Sequence, residues 1–214
     1  MFVQESLELR WFLTRGEADS VAGLFDGVAV ENEGKQRIDR YYVDPARLDI
    51  GTKERVEADK PPKFEVKYRT GVIHGFEVAP GVVGDLERWQ KLSIPLNGNA
   101  LDPDHRWVAD TEKKRRLRKF EFDGDSVTEV SPTARPAAGC GLEFTEVTAR
   151  VAGRPSVEVV TLGVEAFGAA GDLLRALTAV VNDVVSGAVV LTGAASASYP
   201  AWLGNEMQRV LGER

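Results

Sequence analysis

Residues 3–12 alternate along the chain. Val3, Glu5, Leu7, Leu9 and Trp11 fall on one face, and Ser6, Glu8, Arg10 and Phe12 on the other. A period of two is the mark of a strand. The same pattern recurs at 48–56, where Ile50, Thr52, Glu54 and Val56 oppose Asp49, Gly51, Lys53 and Arg55. It is cleanest at 63–69, where Phe64, Val66 and Tyr68 oppose Lys63, Glu65, Lys67 and Arg69. Further strands are expected at 36–43, 71–84, 107–122, 142–151 and 157–167. Turns are expected at Asp44-Pro45, at Lys60-Pro61-Pro62 and at Arg154-Pro155. A loop spans 97–104.

Helical spacing marks other stretches. A short helix is expected at 18–25, with Glu17 or Asp19 near its start, and another at 85–92 carrying Trp89. From Gly171 onward Leu173, Leu174, Leu177, Val180, Val181, Val184 and Val185 repeat at helical spacing behind Asp172, a good N-cap. A second C-terminal helix follows over 198–214 with Pro200 near its start. No internal repeat or long linker divides the chain, so the simplest organisation is one domain over 1–214, with C-terminal helices from about 172.

Composition narrows the function classes. The 214 residues are 43% hydrophobic and 28% charged, which suits a soluble β-rich domain with a sizeable core. The net charge of −6 argues against a protein that coats nucleic acid. The lone Cys140 reads as a small buried side chain, and the two histidines have no partners for zinc. No basic lead with an apolar run opens the chain. The most apolar stretch, 176–197, is too broken for a membrane span. These features give a cytoplasmic expectation without a membrane partner. Whether the chain forms a homodimer stays open.

The candidate chemistry lies on the polar faces of the strands. Glu8 and Arg10, Lys53 and Arg55, and Glu65, Lys67 and Arg69 sit at alternate positions, and 113–119 holds a basic cluster. Later strands add Glu143 with Thr145, and Glu165 with Thr161. A polar sheet face usually meets water, and its ion pairs are then worth little. Here the cations come in i, i+2 pairs: Lys53/Arg55, Lys67/Arg69 and Lys113/Arg115. Bringing such strands together costs repulsion unless an anion or facing carboxylates neutralise them. Arginine forks match phosphate oxygens, and carboxylates among bases suit a hard cation. Within 113–119, alternation allows either Lys113 and Arg115, or Lys114, Arg116 and Arg118, to share the charged face. Asp39, Tyr41 and Tyr42 read as structural, and Trp11, Trp89, Trp107 and Trp202 as packing residues.

The ordered series of motifs resembles the CYTH, or triphosphate tunnel metalloenzyme, superfamily. The matching stretches are Ser6-Leu7-Glu8-Leu9-Arg10, Asp39-Arg40-Tyr41-Tyr42, Thr52-Lys53-Glu54-Arg55, Phe64-Glu65-Val66-Lys67-Tyr68-Arg69, Glu112-Lys113-Lys114-Arg115, Leu142-Glu143-Phe144-Thr145-Glu146, and the run from Thr161 to Gly168. The resemblance implies an α+β, β-dominated fold: an eight-stranded antiparallel barrel forming a tunnel, with charged faces inward and helices packed outside. It implies a small polyanionic ligand, namely triphosphate, polyphosphate or the phosphate chain of a nucleotide. Arg10, Lys53, Arg55, Lys67, Arg69, Lys113 and Arg115 would grip phosphates. Glu8, Glu143 and Glu165 would hold Mg2+ or Mn2+ for phosphohydrolysis. The family's first opening glutamate falls on Ser6 and its lysine on Arg10, which weakens the metal site more than the phosphate site. The alternative function is a non-catalytic module that binds an organic anion or nucleotide.

Overall fold

The structure is a computed structural model that describes residues 3–30, 37–57, 60–96, 101, 102, 105, 107–151 and 154–211. Strand accounts for 55% and helix for 19%, so sheet dominates an α+β fold. Ten strands occur among the described residues: β1 (Val3–Leu13), β2 (Arg37–Tyr42), β3 (Ile50–Glu57), β4 (Lys60–Ala79), β5 (Val82–Pro95), β6 (Val108–Phe122), β7 (Val127–Val130), β8 (Gly139–Val151), β9 (Val157–Phe167) and β10 (Ala195–Ser196). Three α-helices join them: α1 (Arg15–Ala22), α2 (Leu173–Val180) and α3 (Tyr199–Leu211).

Eight strands close on themselves in the order β1-β5-β4-β3-β2-β6-β8-β9, and β9 pairs back onto β1. Every pairing in this ring is antiparallel. β7 and β10 lie outside the ring, on β6 and β1 respectively. Closure fixes the two faces of every strand. One points into the barrel and the other outward.

The main apolar core sits outside the barrel wall. Leu7, Leu9, Trp11 and Leu13 of β1 and Leu142 and Phe144 of β8 pack with Leu162 and Val164 of β9. Ala18 and Val21 of α1 and Leu173, Ala176, Leu177 and Val180 of α2 cover them. This arrangement explains why the odd positions of β1 are apolar: they face helices and not water. Cys140 is buried in the same layer as a free thiol, and burial pushes its pKa well above the usual value.

The helix at the first connection is capped by Thr14, which accepts from the Glu17 amide while the Glu17 side chain accepts from the Thr14 amide. The cap therefore lies ahead of the expected Glu17 or Asp19. α2 begins after Asp172 as expected, although the Asp172 side chain makes no capping bond.

Three expectations are corrected. The stretch 85–92 is not a helix but the middle of β5. Its outward Arg88 pairs with Glu5 on β1, which hides the apolar alternation a strand would otherwise display. Lys60-Pro61-Pro62 is not a turn, and 71–84 is not a separate strand. β4 runs unbroken from Lys60 to Ala79; its register against β5 shifts between Ile73 and Phe76, where Gly75 has a φ of 61° that favours glycine. The expected loop 97–104 lies largely outside the described residues.

α3 packs differently from the other two helices. Its Leu203 and Met207 are buried against Tyr41, Ala109 and Ala149, which lie on the inner faces of β2, β6 and β8. Pro200 sits so close to β3 that a Cβ at Gly51 would come within 2.8 Å of it. The C-terminal helix thus covers inner-face residues near one end of the barrel.

Candidate functional site

The inner faces carry the charged residues of the alternating strands. β1 contributes Ser6, Glu8 and Arg10; β3 contributes Lys53 and Arg55; β4 contributes Glu65, Lys67 and Arg69. β6 contributes Lys113 and Arg115, β8 Glu143 and Thr145, and β9 Thr161 and Glu165. Except for Ser6, Thr161 and Arg69, these side chains line a cavity of about 1360 Å3, which runs through the barrel and over the groove between α1 and the walls of β6, β8 and β9. Arg69 lies at its edge, bonded to Glu87.

The expected bases converge in ion pairs. Asp39, buried on β2, is the centre of one set. It accepts from Lys53 Nζ at 3.2 Å and from Arg55 Nε at 3.1 Å, and Lys113 Nζ stands 3.5 Å away. Glu65 takes the other side of Lys53 at 3.2 Å and of Arg55 at 3.3 Å. Burial would raise the Glu65 carboxyl, but Lys53 and Arg55 outweigh it and hold the pKa at about 2.

A second set surrounds Glu143. Arg10 Nη2 donates to one of its oxygens, and Arg115 Nη1 donates to the other at 3.0 Å. Burial opposes ionisation here too, yet the two guanidinium groups hold Glu143 far below the ordinary carboxylate range. Gly163 of β9 is the register partner of Arg10. A Cβ there would lie 2.7 Å from the guanidinium, so the glycine makes room for it.

A third set lies along β5, β1 and β9. Glu8 is the direct partner of Glu87 on one side and of Glu165 on the other. Lys67 donates to Glu8 Oε1 and stands 3.8 Å from Glu165 Oε1. Ser6 Oγ donates to the same Glu8 oxygen at 2.8 Å. Arg69 donates to Glu87, which also accepts from Trp89 Nε1 at 3.1 Å. Burial and the nearby Glu8 charge push Glu87 up despite these bonds.

Aromatic rings close the chamber on the α3 side. Tyr199 lies under Arg10, whose Cζ is 4.3 Å from the ring centre, and its hydroxyl is 3.1 Å from Thr161 Oγ1. Lys113 donates to the Tyr41 hydroxyl at 2.9 Å. The hydroxyls of Thr145 and Ser198, both in the cavity lining, are buried and have no hydrogen-bond partner among the described residues.

No family model matches the chain, and no curated protein matches it. Solved structures do. The S. pombe Pct1 RNA triphosphatase in complex with the Spt5 CTD is similar at 12% identity over 99% of this chain and 82% of that one, with a TM-score of 0.44. The putative adenylyl cyclase HpAC1 from Hippeastrum, described as having a dominant triphosphatase activity, is similar at 8% identity over 80% and 82%, with a TM-score of 0.36. Overlap this loose transfers neither residues nor activity. The closed eight-stranded barrel is nonetheless the architecture that the motif series implied.

All ten expected residues, Arg10, Lys53, Arg55, Lys67, Arg69, Lys113, Arg115, Glu8, Glu143 and Glu165, lie on the inner face. In β6, pairing with β8 puts Lys113 and Arg115 inside. Arg116 turns outward over the Phe144 ring and Arg118 outward to Glu129. The expected metal set fits less well. Among the described residues, no three His, Cys, Asp or Glu side chains are grouped to hold one ion. Both oxygens of Glu143 already accept from arginine, and one oxygen of Glu8 accepts from both Lys67 and Ser6.

Reading the sequence missed three contributors. Asp39 and Tyr41, read as structural, are central to the chamber. Glu87 was hidden inside a stretch expected to be helical. Among these, the period-two spacing of Glu87 and Trp89 was the available signal.

Proposed function

We propose that the tunnel binds a linear phosphate polyanion: tripolyphosphate, polyphosphate or the phosphate chain of a nucleotide. The observation that carries the reading is the convergence of Arg10, Lys53, Arg55, Lys67, Lys113 and Arg115 on one chamber. Within the barrel, with Lys91 and Arg69, these bases outnumber Glu8, Asp39, Glu65, Glu87, Glu143 and Glu165, whereas Asp19, Glu112, Glu146 and Glu158 on the outer groove bring the whole cavity lining to a balance of acids and bases. Arginine and lysine donors arranged around a cavity match the many acceptor oxygens of such a chain. The buried Thr145 and Ser198 hydroxyls supply two neutral donors to the same space.

Binding without turnover is the form of this reading that the site favours. Hydrolysis assisted by Mg2+ or Mn2+ would need free carboxylates, and Glu8 and Glu143 are engaged by bases. One domain over 1–214 and a cytoplasmic location belong to the same proposal.

Calorimetric titration with tripolyphosphate, set against orthophosphate, tests the function. Saturable binding of tripolyphosphate at micromolar levels is expected, with a rise in melting temperature. A folded sample that binds no polyanion overturns it. Phosphate release from tripolyphosphate with Mg2+ or Mn2+ above blank would overturn the non-catalytic form.

A further inference from the structure

Glu87, Glu8 and Glu165 form one row across β5, β1 and β9, because Glu8 is the register partner of both others. Like charges directly opposite each other on neighbouring strands repel. A cation has to stand among them, and a divalent ion would be one solution. The chain supplies another. Lys67, projecting from β4 on the same inner face, donates to Glu8 and lies 3.8 Å from Glu165. Arg69, two residues further along β4, donates to Glu87. One strand therefore sets two cations against the three carboxylates of the row.

Ser6 strengthens the same arrangement. It stands where the motif series would place another glutamate, yet it adds a donor in place of an acceptor. Its hydroxyl and the Lys67 ammonium converge on a single oxygen of Glu8. A metal ion approaching Glu8 from the Lys67 side would have to displace the ammonium. An ammonium also has three donors, so contacts to two glutamates leave one for a ligand oxygen.

We propose that Lys67 is a built-in replacement for a divalent ion between Glu8 and Glu165, so that the tunnel takes up a phosphate chain without metal. The inference rests on the binding function proposed above and specifies how that site neutralises its own carboxylates. No bond is made or broken. Tripolyphosphate enters, and the Lys67 ammonium is shared between the glutamates and a phosphate oxygen.

Two measurements decide it. In the first, tripolyphosphate is titrated in metal-stripped buffer and in buffer with Mg2+. Wild-type affinities in the two media should agree within about threefold. The Lys67→Met variant should lose at least tenfold in stripped buffer and recover most of it with Mg2+. In the second, Mn2+ binding to the ligand-free protein is followed by electron paramagnetic resonance. Wild type should hold no Mn2+ in the tunnel at 100 µM, and Lys67→Met should gain one site that Glu8→Gln abolishes. These concentrations and fold-changes are of the order expected when one charge at a shared site is exchanged.

Wild-type binding that appears only with Mg2+ overturns the inference and leaves the proposed function standing. Absence of binding in both media overturns the proposed function, and the Mn2+ measurement then still decides the role of Lys67. Mn2+ held by the wild type, or no gain in a Lys67→Met protein that keeps its cooperative melting transition, overturns the inference.

Discussion

Lys113 Nζ stands 3.7 Å from the centre of the Tyr199 ring, so the first residue of α3 is held against the charged wall of β6. Arg10 faces the same ring from β1. The chamber is thus closed on this side by an aromatic surface that attracts cations, and not by an ordinary apolar plug. Tyr199→Ala should destabilise the protein by about 3 kcal/mol, through lost burial and lost ring contacts. Tyr199→Phe keeps the ring and should cost about 1 kcal/mol, the worth of the hydroxyl's hydrogen bonds. Urea denaturation of the two variants checks the ordering.

Glu143 holds Arg10 and Arg115 together. Glu143→Gln leaves two arginines facing each other without a charge between them. Breaking one partner of a buried pair costs about 3 kcal/mol. The variant should therefore melt at a lower temperature than wild type when free. Saturating tripolyphosphate should recover much of the loss, because its oxygens replace the missing carboxylate. Paired melting curves with and without the anion measure both effects.

Gly163 leaves space for the Arg10 guanidinium, which a Cβ would approach to 2.7 Å. Gly163→Val should push Arg10 off Glu143 while leaving the β1–β9 pairing in place. Because the crowded atoms belong to the end of a flexible side chain, the cost in stability should stay near 1–2 kcal/mol. Tripolyphosphate affinity should fall about tenfold, the equivalent of about 1.4 kcal/mol. Titration calorimetry on the purified variant provides the check.

Acid should unlock the chamber. Glu65 has a folded pKa of about 2 against an ordinary 4.5, and Glu8 and Glu143 are also depressed. A depressed carboxylate contributes stability above its unfolded pKa, and this is lost as pH falls through the folded value. Stability should therefore decline from about pH 4.5 toward pH 2. Glu87, whose pKa is raised, acts in the opposite sense and softens the first part of the decline. Lys67 is raised above its ordinary 10.5, so its contribution is present below that pH and lost only in stronger alkali. Urea midpoints between pH 2 and pH 7 would trace the acid limb.

The strands with the cleanest alternation were legible from sequence. β1 and β9 carry apolar residues on one face because helices cover that face, and the first half of β4 alternates without interruption. β5 was not legible. It exposes Arg88 outward to Glu5 and turns Glu87 and Trp89 inward, which mixes charge and apolar character on both faces. Glu87 went unnoticed for that reason. Asp39 was undervalued because its significance is entirely three-dimensional: Lys53 and Arg55 reach it from β3 and Lys113 from β6. The inward register of Lys113 and Arg115 likewise follows from pairing with β8, which no local pattern encodes.

The ion pairs of the chamber have a consequence for selectivity. Arg10, Lys53, Arg55, Lys67, Arg69, Lys113 and Arg115 each already hold a carboxylate of the chain. An incoming anion must therefore trade places with internal counter-ions, as on an ion-exchange resin. A singly bridged anion such as orthophosphate can replace one of them and gains little. A chain of several phosphates replaces many at once, and the exchange then runs in its favour. Discrimination in such a chamber follows the number of linked charges more than the outline of the molecule that bears them.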